Sequence, residues 1–288
     1  MSEKIQLPTW NDTYPDPERL RHEVSCMNDA IVETLLDRIP KDEIRAIYLK
    51  GSAKKRWDTP IDYVPEASDI DIHVWFHDDD WEQSLFSDLD QAIAVQQGIG
   101  ARYRRKCPQP LHTPRPQIMI MNTLLRRPGY MHSPPDSASV LFGNDYPVVE
   151  YSATEEIKRY KCQDLLNFAD ILDRYSYRVF DRPDKHLAEL LRDLSFRVSP
   201  VGPIFLQLAG VDPMTVWSMN RTRITRALED IGEGSLATDY VGYFLARWRW
   251  FLSNGDDLDS LRDAVRTALK VLERSESVAN AYLSEMET

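Results

Sequence analysis

The chain has 288 residues and only three cysteines, Cys26, Cys107 and Cys162. They are scattered and odd in number, and none has C-x-x-C or zinc-ligand spacing. That pattern speaks against a disulfide framework and reads as reduced thiols in a cytoplasmic protein. Long apolar runs are missing too. None reaches the roughly 18 residues of a membrane-spanning helix, so no membrane partner is expected. The opening Met-Ser-Glu-Lys-Ile-Gln lacks the basic and apolar regions of a signal peptide. Internal repeats and low-complexity tracts are also absent. The last absence is of one charge sign: from Gln91 to Pro135 there is no Asp or Glu.

What is present is the composition of a soluble globular protein, 42% hydrophobic and 28% charged. The length allows one large domain or two ordinary ones. A net charge of −11 argues against a surface for nonspecific nucleic-acid binding and suits a cationic or neutral substrate. The acid-free stretch nevertheless carries Arg102, Arg104, Arg105, Lys106, Arg115, Arg126 and Arg127. It reads either as a solvated basic loop or as a cationic wall facing a polyanion, such as a nucleoside triphosphate or RNA.

Residues 1–17 read as an irregular leader. Leu20, Val24, Met27, Ile31, Leu35 and Ile39 have helical spacing, and Pro40 ends that helix. Residues 44–50 read as a buried strand. Gly51-Ser52 follows, with a helix able to begin between Ala53 and Trp57, and 58–68 is a loop with Pro60 and Pro65. Residues 69–76 form the next strand. Asp78-Asp79-Asp80 reads as an acidic helix entrance, and 81–97 as a helix. Residues 117–122 read as a third strand buried on both faces, and 140–149 as one or two strands turning at Gly143-Asn144-Asp145. From Ser152-Ala-Thr-Glu155, a capping-box pattern, the rest reads as helical: a long helix through Tyr175, then 185–196, 211–231, 236–252 and 258–283. Residues 1–150 therefore read as mixed α and β, and 151–288 as an all-α domain.

The chemistry concentrates in Leu49-Lys50-Gly51-Ser52 and Ser68-Asp69-Ile70-Asp71-Ile72. A Gly-Ser turn lets backbone and hydroxyl approach a phosphate. Aspartates at i and i+2 of a strand share one face. Together they can hold a divalent metal on a triphosphate.

This order of strand, Gly-Ser turn, Asp-x-Asp strand, helix and strand resembles the nucleotidyltransferase superfamily of the DNA polymerase β type. It is nearest to the small-molecule, aminoglycoside-type enzymes, which also append a helical domain. Val140-Leu-Phe-Gly143-Asn-Asp145 echoes a turn near the end of their catalytic domain. The resemblance covers roughly residues 44–150. It implies an α+β fold, with an N-terminal nucleotidyltransferase-like domain carrying a short mixed sheet (1–150) and a helical-bundle domain (151–288). It also implies Mg²⁺, or Mn²⁺ in its place, held by Asp69 and Asp71. Gly51 and Ser52 would hold the β- and γ-phosphates at a helix N-terminus, with Lys54, Lys55 or Arg56 balancing leaving-group charge. The reaction would move a nucleoside monophosphate from a nucleoside triphosphate to a hydroxyl of an acceptor, read as a small molecule.

The chain departs from the family in three ways. The gap between Gly-Ser and Asp-x-Asp is longer, with an insertion holding Trp57, Asp58 and Pro60. Lys54 stands where alanine is usual. The next strand offers Gln117 and Asn122 where a third carboxylate is usual, and an amide cannot take a proton at neutral pH. The base could come from Asp136, Asp145, Glu150 or an acid of the helical domain, or from His73 on the Asp71 face. Alternatively the domain binds nucleotide without turnover. RNA or protein as acceptor stays open. Two further groups read as packing or as ligand contacts: the run Phe244 to Phe251 with Arg247 and Arg249, and Arg174, Arg178, Arg182 and Lys185.

Overall fold

In the computed structural model the leader gives way at Asp16, whose carboxylate accepts from the Glu18 amide and caps α1 (Pro17–Arg38). The structure describes residues 4–79, 88–127, 129–149 and 154–286. The fold is α+β, with a small mixed four-stranded sheet and a larger set of helices. The chain divides into two units. A sheet unit comprises Trp10–Arg56 and Ser68–Val149, and a helical unit comprises Met1–Thr9, Trp57–Ala67 and Glu150–Thr288.

In the sheet unit, β1 (Ile44–Lys50) runs into the single turn α2 (Gly51–Lys54), then β2 (Asp69–Phe76). α3 (Leu89–Lys106), β3 (Arg115–Ile120), α4 (Met121–Leu125) and β4 (Ser139–Gly143) follow. The strand order is β3-β2-β1-β4. β1 is antiparallel to both β2 and β4, and β3 is parallel to β2. Period-two alternation puts Ile70, Ile72, Val74 and Phe76 of β2 on one face, all at most 1% exposed. On this face a cavity of about 410 Å³ is lined by Met27 and Leu35 of α1, Ile99 of α3, and Ile118 and Ile120 of β3. The other face carries the polar set of β2.

Glu23 ties α1 to the segment after α3. It is 1% exposed, and its carboxylate accepts from the amides of Leu111 (2.7 Å) and His112 (3.3 Å), with His112 Nδ1 at 2.6 Å. Burial alone would raise its pKa. The hydrogen bonds from His112 and Leu111 outweigh burial and hold the carboxyl below the usual range.

The helical unit contains α5 (Glu155–Ala169), α6 (Leu172–Phe180), α7 (Ala188–Val198), α8 (Val201–Leu208), α9 (Pro213–Ser218), α10 (Arg221–Asp230), α11 (Gly234–Leu252) and α12 (Leu258–Met286). Its core includes Leu165, Leu194, Val198, Leu228, Tyr240, Phe244, Trp248 and Leu272.

Several elements differ from the sequence reading, each for a local reason. The 57–67 insertion is not a loose loop of the sheet unit. It packs in the helical unit, with Trp57 stacked on Tyr63 at 4.4 Å. Asp62 accepts from the Thr222 amide (2.8 Å) and from the Thr59 amide (2.9 Å). Arg221 Nη1 donates to the Ile61 carbonyl at 3.0 Å, and Trp248 Nε1 to that of Pro60 at 2.7 Å. The long helix ends at Ala169 because Arg197 Nη1 takes the carbonyls of Asn167 and Phe168. Asp212 and Asn220 each cap a new helix, which splits 211–231. α8 forms across Pro203, because a proline in the first turn gives up a donor that has no intrahelical partner. β3 begins at Arg115, is half-buried along most of its length, and stops before Asn122, which lies in α4. β4 ends at Gly143, and no strand follows it among the described residues. The expected helix start at Trp81, and Ser152 of the capping box, lie outside the described residues. Among described residues α3 begins at Leu89, and Thr154 caps α5.

Glu23→Ala should cost about 3 kcal/mol in denaturant unfolding, the cost of breaking a buried pair. The sign for pH follows from the lowered pKa. Glu23 contributes fully above the unfolded carboxylate pKa, and that share is lost as pH falls through its lower folded value. Glu23→Gln should therefore flatten the acid limb of the stability profile, and an unchanged limb would contradict this.

Candidate functional site

The Gly-Ser turn and the Asp-x-Asp strand meet across the β1–β2 pair. Lys50 lies opposite Asp71 in the antiparallel register. The next residue, Gly51, has φ +71°, and a Cβ there would lie 1.7 Å from Asp71 Oδ2. Only glycine accepts that backbone and leaves that space. The Asp71 carboxylate therefore rests on the backbone of Gly51. Ser52 follows in α2, which packs on β2 and is one turn long, with Lys55 already extended (φ −64°, ψ 163°). The sequence allowed a helix to begin between Ala53 and Trp57; the helix instead starts at Gly51 and ends at Lys54.

On β2, Asp69, Asp71, His73 and Trp75 share the polar face. On β3, Arg115 lies opposite Asp69 and Gln117 opposite Asp71. Arg115 Nε and Nη2 both contact Asp69 Oδ1. Lys50, 7% exposed, donates from Nζ to Tyr146 Oη at 3.1 Å. Burial pulls the Lys50 pKa down to about 8, with Asp71 opposing and Lys55 adding to the fall. Tyr146 Oη also accepts from the Ser133 amide at 3.3 Å, and its ring meets Tyr48 edge-on at 4.9 Å. Neither Lys50 nor Tyr146 was singled out by sequence reading. The lysine was legible as the residue before Gly51, whereas Tyr146 reaches it only through the pairing of β1 with β4.

His73 fails as a base. It is 4% exposed, and burial, with the charges of Lys50 and His132, lowers its pKa to about 2. Its Nδ1 has no hydrogen-bond partner. Asn122 leaves the site altogether: its Oδ1 accepts from the Phe76 amide (2.9 Å) and its Nδ2 donates to Asp79 (2.8 Å). Of the acids proposed as base, Asp145 lies at the Arg45 end of β1, because Gly143 pairs with Ala46 and the Asn144 amide donates to the Arg45 carbonyl. Asp136 is exposed at the opposite end, three residues before Ser139, which pairs with Leu49. Glu150 lies outside the described residues.

The basic stretch disperses over α3, β3 and α4 and its flank. Lys106 pairs with Glu33 (2.7 Å), Arg102 with Asp37, Arg115 with Asp69 and Arg126 with Asp79 (2.9 Å). In the helical unit, Arg247 is buried and donates to the Leu191 carbonyl (3.0 Å) and Tyr243 Oη (3.1 Å), while Phe244 and Trp248 are core. Arg178 pairs with Asp193 at 2.8 Å and Arg182 with Asp181 at 2.5 Å. Phe244, Arg247, Trp248, Arg178 and Arg182 therefore have structural partners. Lys54 is half-buried and Arg56 exposed beside the Gly-Ser turn.

The donor chemistry fits Mg²⁺, which takes one or two carboxylates and completes its shell with phosphate and water oxygens. Among the described residues no group of three or more His, Cys, Asp or Glu side chains is placed to hold a metal ion, and Asp71 is the carboxylate seated against the Gly-Ser turn. No family model, curated protein or solved structure matches the chain.

Gly51→Ala tests the cradle. The substitution should displace the Asp71 carboxylate and cost about 1–3 kcal/mol through the strained φ. Thermal unfolding matching the parent, with metal affinity intact, would show that the space is not needed.

Proposed function

We propose that the chain is a metal-dependent nucleotidyltransferase that moves a nucleoside monophosphate from a nucleoside triphosphate to a hydroxyl of a small molecule. The observation that carries this reading is the Asp71 carboxylate seated on the Gly51 backbone, with Asp69 on the same strand face. Phosphate-binding turn and carboxylate pair are then one structure. The likeness to nucleotidyltransferases of the DNA polymerase β type, nearest to the aminoglycoside-type enzymes, supports the same reading.

In this reading the Gly51 and Ser52 region holds the β- and γ-phosphates through backbone amides and the Ser52 hydroxyl. Asp69 and Asp71 are the residues that would hold Mg²⁺. The bound ion supplies charge neutralisation for the triphosphate. Lys54, Lys55 and Arg56, beside the turn, offset charge on the leaving group. The acceptor oxygen forms a bond to the α-phosphorus, the bond from that phosphorus to the β-bridging oxygen breaks, and pyrophosphate departs. The acceptor proton goes to Asp136, the described acid among the base candidates at the Lys50 end of the sheet.

One observation favours a second reading, nucleotide binding without turnover. The residue opposite Asp71 on β3 is Gln117, an amide.

Calorimetric titration of the four ribonucleoside triphosphates, with and without Mg²⁺, tests the site. The expected result is Mg²⁺-dependent binding of a preferred nucleotide, lost in Asp71→Ala; equal binding by parent and variant removes Asp71 from the site. Asp136→Asn should lower pyrophosphate release by about 100-fold or more, the usual contribution of a positioned base, with nucleotide affinity unchanged. Full turnover in that variant would place the base elsewhere. Nucleotide binding with no pyrophosphate release from any hydroxyl acceptor would favour the second reading.

A further inference from the structure

Asp69 and Asp71 share a strand face but have different neighbours. Asp69 faces Arg115 across the parallel β2–β3 pair, and both Nε and Nη2 of the guanidinium converge on Oδ1. A guanidinium offers donors only and no acceptor, so it holds Asp69 Oδ1 as an ion pair. Asp71 faces Lys50 on one side and the neutral Gln117 on the other. The face therefore sets one fixed cation, Arg115, and the buried Lys50 amine beside its two carboxylates. Two divalent ions about 4 Å apart would need carboxylate oxygens on both sides. Here one of those oxygens is already taken by a guanidinium, and the β3 position facing Asp71 offers an amide. A second divalent ion would also stand against the fixed charge of Arg115, and like charges repel.

We propose that the site takes a single divalent cation, held by the Asp69 and Asp71 carboxylates, and that Arg115 occupies the place of a second one. This rests on the nucleotidyltransferase reading. It assigns Arg115 as a positioning residue: it fixes Asp69 and sets the number of ions bound.

The test counts ions rather than activity. The full chain is dialysed to equilibrium against Mn²⁺ and each of the four α,β-methylene nucleoside triphosphates in turn, and bound Mn²⁺ is measured per bound nucleotide. The expected ratio is one for the parent, rising towards two in Arg115→Gln, which frees Asp69 Oδ1. Arg115→Lys, which keeps a cation opposite Asp69, should remain at one. A ratio of two in the parent overturns the single-ion inference while leaving the nucleotide site standing, and it needs no variant to fold. A ratio of one in a folded Arg115→Gln protein overturns the role of Arg115. No bound nucleotide with any of the four overturns the functional reading and this inference with it.

Discussion

The Asp71 carboxylate fills the space that a side chain at position 51 would occupy, and the arrangement of the sheet unit's polar face follows from that contact. It needs Gly51 at φ +71°, and it needs Lys50 directly opposite Asp71. A one-residue slip of β2 against β1 would send Asp69 and Asp71 to the apolar face and Ile70 and Ile72 to the polar one. The register is thus fixed by the burial of Ile70, Ile72, Val74 and Phe76. The hydrophobic effect on one face of the strand places the carboxylates on the other.

The β1–β2 connection is long because its middle is part of the other unit. The chain leaves the sheet unit after Arg56 and returns at Ser68, and between these points it belongs to the helical unit. There Asp62, at 1% exposure, is held by hydrogen bonds from Thr59 and Thr222, and the carbonyls of Ile61 and Pro60 are held by Arg221 and Trp248. Burial raises the Asp62 pKa despite the opposing hydrogen bonds from Thr59 and Thr222. What reads in sequence as an insertion is a structural part of another unit. It ends within two residues of Asp69 and begins just after the basic turn of Lys54, Lys55 and Arg56, so the site residues flank it at both ends.

Much of this was legible in the residues. Helical spacing from Leu20 to Leu35 and the strands 44–50 and 69–76 rest on local periodicity and clear stop signals, and α1, β1 and β2 match them closely. Strand alternation alone puts both aspartates on one face, and the resemblance implied that the Gly-Ser turn meets them. Long-range contacts were not. Nothing local in Arg115 says that it meets Asp69, since that depends on the parallel register of β3. Nothing local in Tyr146 says that it accepts from Lys50, ninety-six residues away. The sequence reading placed no helix between 196 and 211, where Pro203 stands in the first turn of α8 and no side chain caps its start. The aromatic and basic run around Arg247 was ambiguous because its partners are distant in sequence: Phe244, Arg247 and Trp248 are buried, with Arg247 held by Leu191 and Tyr243, while Arg249 is exposed.

In the proposed reading, one turn of backbone and one strand face form a metal and triphosphate site. Its most direct test is a crystal structure of the full chain grown with Mn²⁺ and an α,β-methylene nucleoside triphosphate, with the ion located by its anomalous scattering. The expected result is an anomalous peak within coordination distance, about 2.2 Å, of the Asp71 carboxylate, with the triphosphate against Gly51 and Ser52. A bound nucleotide lying away from Gly51, or an ion that does not touch Asp71, would contradict it.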